Sequence, residues 1–432
     1  MANNGIAIRD AHAGQDVASR FLEFAFGAFL LLVFVGLQPF AIRDPNVLVN
    51  GDMLAAGEGD LVRQILYLLF FAIIFIVAIQ REGWRAIDSV PPILALLLLW
   101  CGLSALWTEA PPMITIRRVG LEVIVVLSVM LSVDALGADR AFRVLRLVLA
   151  LVLIVNWLSI PIVPQAVHLA DETDPSIVGD WRGLYFHKNI TGAVCALSAM
   201  AFLYYAIRDK SRTDWILLIA TLGFLVMTRS KSSIGLLPLG IGAGALYYWA
   251  WRRGIDRAIV SVGVVLVILF AAAIAGVYHQ ELARIFSDPQ EFTGRTVIWQ
   301  AEIAFIRDHA LLGSGFGSFA DTGALSPLHA YVGQNWVDTI SHGHNGYLQL
   351  MVTTGIIGFT LTMICVLIQP GLAFWRMDGM DHLLKAFLFS LFVFFIFHNL
   401  TESDFLESDG ASWVVFLMML AVLRRYRLTR TP

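Results

Sequence analysis

Four short stretches of this chain gather cations, histidines and glycines at the ends of long apolar runs. Charges placed there are costly unless something anionic or polar meets them. The first, Trp181-Arg182-Gly183-Leu184-Tyr185-Phe186-His187-Lys188-Asn189, leads directly into an apolar segment. The second, Thr228-Arg229-Ser230-Lys231-Ser232-Ser233, joins two apolar segments with almost no loop. The third is Gly294-Arg295-Thr296-Val297-Ile298-Trp299, followed by Gly313-Ser314-Gly315-Phe316-Gly317-Ser318-Phe319. The fourth is Ser341-His342-Gly343-His344-Asn345-Gly346-Tyr347-Leu348.

Arginine forks match phosphate oxygens two at a time, and lysine adds a point charge. Arg182, Lys188, Arg229, Lys231 and Arg295 are therefore candidate anion-binding residues, with His187 among them. A histidine at a helix N-terminus feels the positive end of the dipole, which keeps its imidazole neutral and able to accept a proton. His344 is the first candidate for such a base and His342 the reserve, while Asn345 or Ser341 could cap the following helix. Plainer roles compete in each case. The first cluster could be a juxtamembrane anchor with an aromatic belt. The second could snorkel to the interface, and a loop histidine is often only a cap. The alternating glycines can offer backbone amides to phosphate, yet no strand precedes them, so the dinucleotide fingerprint does not apply and a plain turn is favoured.

The elements that must carry these residues are membrane spans. A bilayer core needs about 20 apolar residues per helix, and such runs fall near 21–42, 61–79, 90–107, 113–133, 144–163, 190–207, 214–228, 233–250, 257–277, 346–369, 383–398 and 410–424. The expected fold is all-α, a polytopic membrane protein of about twelve transmembrane helices, with one large periplasmic loop carrying an amphipathic helix. Within that loop Val297, Ala301, Ala304 and Phe305 recur at helical spacing with Arg295, Glu302, Arg307 and Asp308 elsewhere, which predicts a helix lying on the outer membrane surface. The chain divides into a cytoplasmic segment 1–20, helices 1–9 over 21–277, the large loop 278–345 with the candidate site, helices 10–12 over 346–424, and a cytoplasmic tail 425–432. Arg81, Arg85, Arg140, Arg208, Arg252 and Arg424 lie in the segments this topology puts inside, as the positive-inside rule requires. The cations of the four stretches are the exceptions.

Composition agrees: 58% of the 432 residues are hydrophobic and 15% charged, with a mean hydropathy of +0.73. A net charge of -3 gives no reason to expect a nucleic-acid partner. Cys101, Cys195 and Cys365 each sit alone in an apolar run, so neither a disulfide framework nor a zinc site is expected. No small-residue cleavage site follows the first apolar stretch, which reads as a retained helix. The acids Glu402, Asp404 and Glu407 lack a metal-ligand pattern, and no metal or cofactor is expected. Glu402 could orient a base or bind sugar, though a solvated loop acid is the plainer account.

Taken in order, Arg-Gly-x-Tyr-x-His-Lys-Asn at 182–189, Gly-Arg-x-x-x-Trp at 294–299, Gly-x-Gly-x-Gly-x-Phe at 313–319 and His-Asn-x-x-Leu at 344–348 resemble the O-antigen ligase and polymerase superfamily. Within it the chain looks most like the exopolysaccharide polymerases of Gram-negative bacteria, the ExoQ-type branch, to which Asn399-Leu400-Thr401-Glu402-Ser403 also points. The resemblance spans about 180–410, while the first 160 residues match in hydropathy alone. It implies a metal-independent glycosyltransferase of the inner membrane that uses an undecaprenyl-diphosphate-linked oligosaccharide at the periplasmic face. It further implies His344 as catalytic histidine, with Arg295, Arg182 and Arg229 gripping the diphosphate. The expected partners are that donor, a growing polysaccharide acceptor and membrane lipids, with a chain-length regulator as a candidate. A ligase delivering glycan to a lipid acceptor is the alternative within the class. A lipid-linked oligosaccharide flippase is the rival outside it, although related halves and helices broken at matching places are not seen.

Overall fold

The computed structural model describes residues 2–41, 60–170, 175–254, 295–319, 327–331, 343–376 and 379–428. Among the described residues it is helical, and the one β-type pairing is an isolated bridge between Val167 and Trp181. The helices are α1 Ala2–Val35, α2 Leu61–Glu82, α3 Pro92–Leu103, α4 Pro112–Leu136, α5 Ala138–Ser159 and α6 Lys188–Arg208. They continue with α7 Arg212–Thr228, α8 Lys231–Arg252, α9 Arg295–Asp308, α10 Gly346–Arg376, α11 His382–His398 and α12 Ala411–Leu428.

The chain is an all-α polytopic membrane protein. Seven of the described helices are long and apolar enough to cross a membrane, and Pro92–Leu106 and His382–His398 are shorter apolar helices. Each expected span except 257–277, which lies outside the described residues, falls on a helix. Residues 2–20, set apart by their polarity, are helical and continuous with the first span.

Two proline starts and one aspartate cap explain where several spans begin. Asp60 accepts from the Val62 and Arg63 amides at the head of α2, and α3 and α4 carry proline in the first turn, where its missing N–H costs nothing. Inside the bundle α8 approaches α11 through Gly240 and Gly244, the small-residue device of membrane helix pairs. A Cβ on Gly240 would come within 3.1 Å of Ser390 O, and one on Gly244 would overlap Ser390 Oγ. Acids within the spans are paired as a bilayer demands. Trp413 Nε1 donates to the fully buried Glu122 over 2.8 Å, and Arg146 grips Asp214 with Nε at 2.7 Å and Nη2 at 2.5 Å.

α10 is broken. Gly355 has φ 61° and ψ -173°, which frees the carbonyls of Val352 and Thr353 from the helix ladder. The glycine-rich stretch fills the gap: Ser314 N donates to Val352 O (2.7 Å), Gly315 N to Thr353 O (3.1 Å), and Ile356 N to Ala310 O (2.8 Å). A Cβ on Gly355 would overlap Leu311 O, and one on Gly313 would lie 2.6 Å from Val352 O, so both positions need glycine. The amide of Phe316 is also committed, donating to Ser104 Oγ over 2.8 Å. The glycines thus splice two helices, in keeping with the turn favoured from the sequence; the Ser314, Gly315 and Phe316 amides are spent within the protein.

The amphipathic helix α9 differs from expectation. Ala301 and Phe305 pack with Phe319, Leu328 and Val352 of α10, so protein covers the apolar face that was expected to lie on lipid. Glu302, assigned to the polar face, is wholly buried. The spacing that marks an amphipathic helix is the same whether lipid or protein receives its apolar side.

Candidate active site

One end of the bundle collects the candidate residues, because the C-termini of α7 and α11 and the N-termini of α6, α8 and α10 meet there. At its centre is Glu402, in the turn between α11 and α12. Asn399 builds that turn: its Oδ1 accepts from Asp404 N (2.9 Å) and Phe405 N (3.0 Å), while Glu402 N donates to His398 O (2.9 Å). Below it, Asp404 Oδ2 accepts from His398 Nδ1 over 2.5 Å.

Glu402 is 7% exposed, far from the solvated loop acid of the plainer reading. Its Oε1 accepts from Asn189 Nδ2 at 2.8 Å and from Arg295 Nη2 at 3.1 Å, and its Oε2 lies 3.3 Å from His344 Nδ1. Arg295 also donates through Nη1 to Thr401 O. Thus α6, α9, the head of α10 and the α11–α12 turn converge on one carboxylate. Such charge-assisted contacts are the strong class of hydrogen bond.

His344 has φ 51°, a left-handed conformation that few non-glycine residues hold. The chain around it is over-determined. Asn345 caps α10, its Oδ1 accepting from Tyr347 N and Leu348 N at 3.1 Å each. Gly346 N donates to Asn399 O (2.8 Å) and Glu402 O (2.9 Å), and Trp299 Nε1 donates to Gly343 O (2.9 Å). Of the two capping candidates Asn345 does the work; Ser341 and His342 lie outside the described residues.

α9 presents Arg295, Trp299 and Glu302 to this chain, one helical face. Glu302 lies against Gly343, where a Cβ would overlap its Oε1. Neither carboxyl oxygen of Glu302 has a hydrogen-bond partner, and burial pushes its pKa well above the usual carboxylate range. Burial therefore favours its protonated, neutral form.

At the head of α6 three consecutive residues turn to different tasks. His187 Nδ1 accepts from Asn189 N (3.2 Å), and His168 Nε2 accepts from Lys188 N (3.2 Å), so two imidazoles take the first amides of the helix. Burial is the main reason His187 titrates at about 4; Glu402 opposes that shift, while His168, His344 and Lys188 add to it. Lys188 turns to the fully buried Asp180, whose Oδ2 it meets at 2.5 Å. Arg229, in the left-handed C-cap of α7, donates to the other oxygen of Asp180 over 3.2 Å.

The expected cations thus fall into two groups and two outliers. Arg295 joins Glu402, and Lys188 and Arg229 join Asp180. Arg182 is buried at 1% exposure, its Nε donating to Gln165 O (2.6 Å) and Nη1 to Phe186 O (3.1 Å), so these two donors hold the loop before α6 together. Lys231 is exposed in the first turn of α8. Asp180 and His168 escaped the sequence reading because neither recurs in a motif; Asn189 lay inside one without an assigned role. Among the described residues no group of His, Cys, Asp and Glu is arranged to hold a metal ion.

Residues 216–363 match the family model described as O-Antigen ligase, a stretch that takes in Arg229, Arg295 and His344 and ends before Glu402. No curated protein matches the chain. This stretch of the chain is thus similar to the O-antigen ligase family.

Proposed function

We propose that the protein is a membrane glycosyltransferase that takes oligosaccharide from an undecaprenyl-diphosphate carrier at the periplasmic face of the inner membrane and adds it to a growing polysaccharide. The observation that carries this reading is the Glu402 hub, which holds a histidine and an arginine on one carboxylate at the end of the bundle. With Nδ1–H donating to Glu402, the imidazole of His344 is in the tautomer whose Nε2 carries a lone pair. That nitrogen takes the proton of the acceptor sugar hydroxyl as the hydroxyl oxygen attacks the anomeric carbon. The diphosphate leaves with the bonding electron pair, and cations at headgroup depth stabilise the growing charge more in the transition state than in the ground state. Positioned general-base catalysis contributes about 10²–10⁴-fold.

Arg295, Arg229, Lys188 and Lys231 supply the positive field in this scheme, His187 and Asn189 fix the head of α6, and Arg182 positions the preceding loop. His342 is kept as the reserve base. The family match supports the class of enzyme, and the resemblance to exopolysaccharide polymerases favours polymerisation over ligation.

The deciding experiment deletes the gene and analyses the accumulated lipid-linked glycan. Single repeat units on the carrier support a polymerase. Complete polymer without its final anchor supports a ligase, and normal glycan removes the enzyme reading.

A further inference from the structure

Outside the Glu402 hub the same end of the bundle holds a second buried carboxylate, Asp180, that no motif announced. Its location is built from two directions. The backbone brings the loop back on itself, with His168 N donating to Asp180 O (3.0 Å) and Gly179 N to His168 O (2.9 Å). The next residue fastens the loop to α7: Trp181 N donates to Met227 O (3.1 Å), and its ring wedges between Trp157 (5.4 Å) and Phe224 (5.2 Å). Asp180 is thereby delivered beside Arg229, two residues beyond Met227, and beside Lys188 at the head of α6.

We infer that Asp180 is a positioning residue that yokes Lys188 and Arg229 into a single diphosphate-binding pair. The inference rests on the lipid-diphosphate reading above. The two cations come from different segments, the head of α6 and the end of α7, and like charges at short range repel unless an anion separates them. Asp180 supplies that anion with one oxygen for each, Oδ2 to Lys188 Nζ at 2.5 Å and Oδ1 to Arg229 Nη1 at 3.2 Å. It is 1% exposed, so water screens it little. The Lys188 side chain is 15% exposed and that of Arg229 is 72% exposed. One edge of the Arg229 guanidinium is therefore fixed while most of the group is open to a ligand. Two cations and one carboxylate leave a net positive charge, matched to an anion and held in place before it arrives. Preorganisation of this kind lowers the cost of binding and serves donor affinity rather than proton transfer.

The test uses full-length protein in nanodiscs, with undecaprenyl diphosphate as the binding probe and undecaprenyl monophosphate as control. Asp180→Asn, which keeps the shape and loses the charge, is expected to raise the Kd for the diphosphate about tenfold or more and the donor KM in step, with kcat at saturating donor little changed. Asp180→Glu is expected to recover most of the affinity, and His344→Ala to bind like wild type while being inactive. Unchanged affinity in Asp180→Asn, or an equal loss of kcat and affinity with no recovery in Asp180→Glu, overturns the positioning role while leaving the donor reading intact. Wild-type protein that binds neither lipid overturns both.

Discussion

Asn189 Nδ2 donates to Glu402 Oε1 over 2.8 Å, joining the head of α6 to the turn after α11 across 213 positions of sequence. This bond makes Glu402 an internal acceptor for three elements at once, and its loss should be felt in the chemistry before it is felt in the fold.

Glu402→Gln is expected to lower kcat by about 10²–10⁴. The amide cannot hold the Nδ1–H tautomer of His344 and at the same time receive Arg295 and Asn189. Single-turnover rates with saturating donor measure this, and a kcat within a few-fold of wild type would detach Glu402 from the base.

His344→Ala and His344→Gln should be about equally inactive, both by about 10²–10⁴, in protein that inserts and melts normally. An amide keeps hydrogen bonding but takes no proton. Wild-type polymer length from a well-expressed His344→Ala strain would leave leaving-group stabilisation as the main catalytic contribution.

Glu302 makes stability fall as pH rises. Its pKa in the folded protein is raised, so above the ordinary carboxylate value the folded state keeps a proton that the unfolded state has lost. Stability from this group is complete below the ordinary value and declines by about 1.4 kcal/mol per pH unit above it. Glu302→Gln should flatten the dependence of melting temperature on pH above about 5, and an unaltered slope would show that the carboxyl is ionised. Gly343→Ala should destabilise the same contact, since its Cβ would overlap Glu302 Oε1.

His187 acts in the opposite direction. Its pKa is lowered to about 4, so the folded state holds it neutral while the unfolded chain protonates it near 6.5. The stabilisation is whole above that value and is lost as pH falls from there towards 4. His187→Asn keeps a capping acceptor for α6 and should remove this acid sensitivity, whereas His187→Ala should also lose about 1 kcal/mol of cap. Melting curves at pH 5 and pH 8 separate the two variants.

Topology can be read with cysteine labels, because the three native cysteines are buried. Ala330→Cys, at the site end, should react with an impermeant maleimide in spheroplasts, and Lys210→Cys should react after lysis alone. The reverse pattern would invert the protein in the membrane.

What was legible in the sequence was whatever repeats along one element. Spans, caps such as Asn345, and motif residues such as Arg295 and His344 announce themselves through hydropathy, helix-end chemistry or neighbours in the chain. What was not legible depends on distant partners. Arg182 reads as one more interfacial cation, yet two of its donors go to the carbonyls of Gln165 and Phe186. Glu302 reads as polar because sequence shows its type and not what covers it. Asp180 has no local signature, since its two cations arrive from α6 and α7.

The splice at Gly355 sets where this protein can be cut and recombined. The outer turns of α10, which carry Asn345 and follow His344, take hydrogen bonds from residues 314–315 of the preceding loop, while the inner turns pack with the bundle. A chimera that exchanges the large loop for a relative's and joins it at residue 345 would part Val352 and Thr353 from the amides that complete them. A junction beyond Ile356 moves loop and outer helix together, so the exchangeable module ends inside a transmembrane helix.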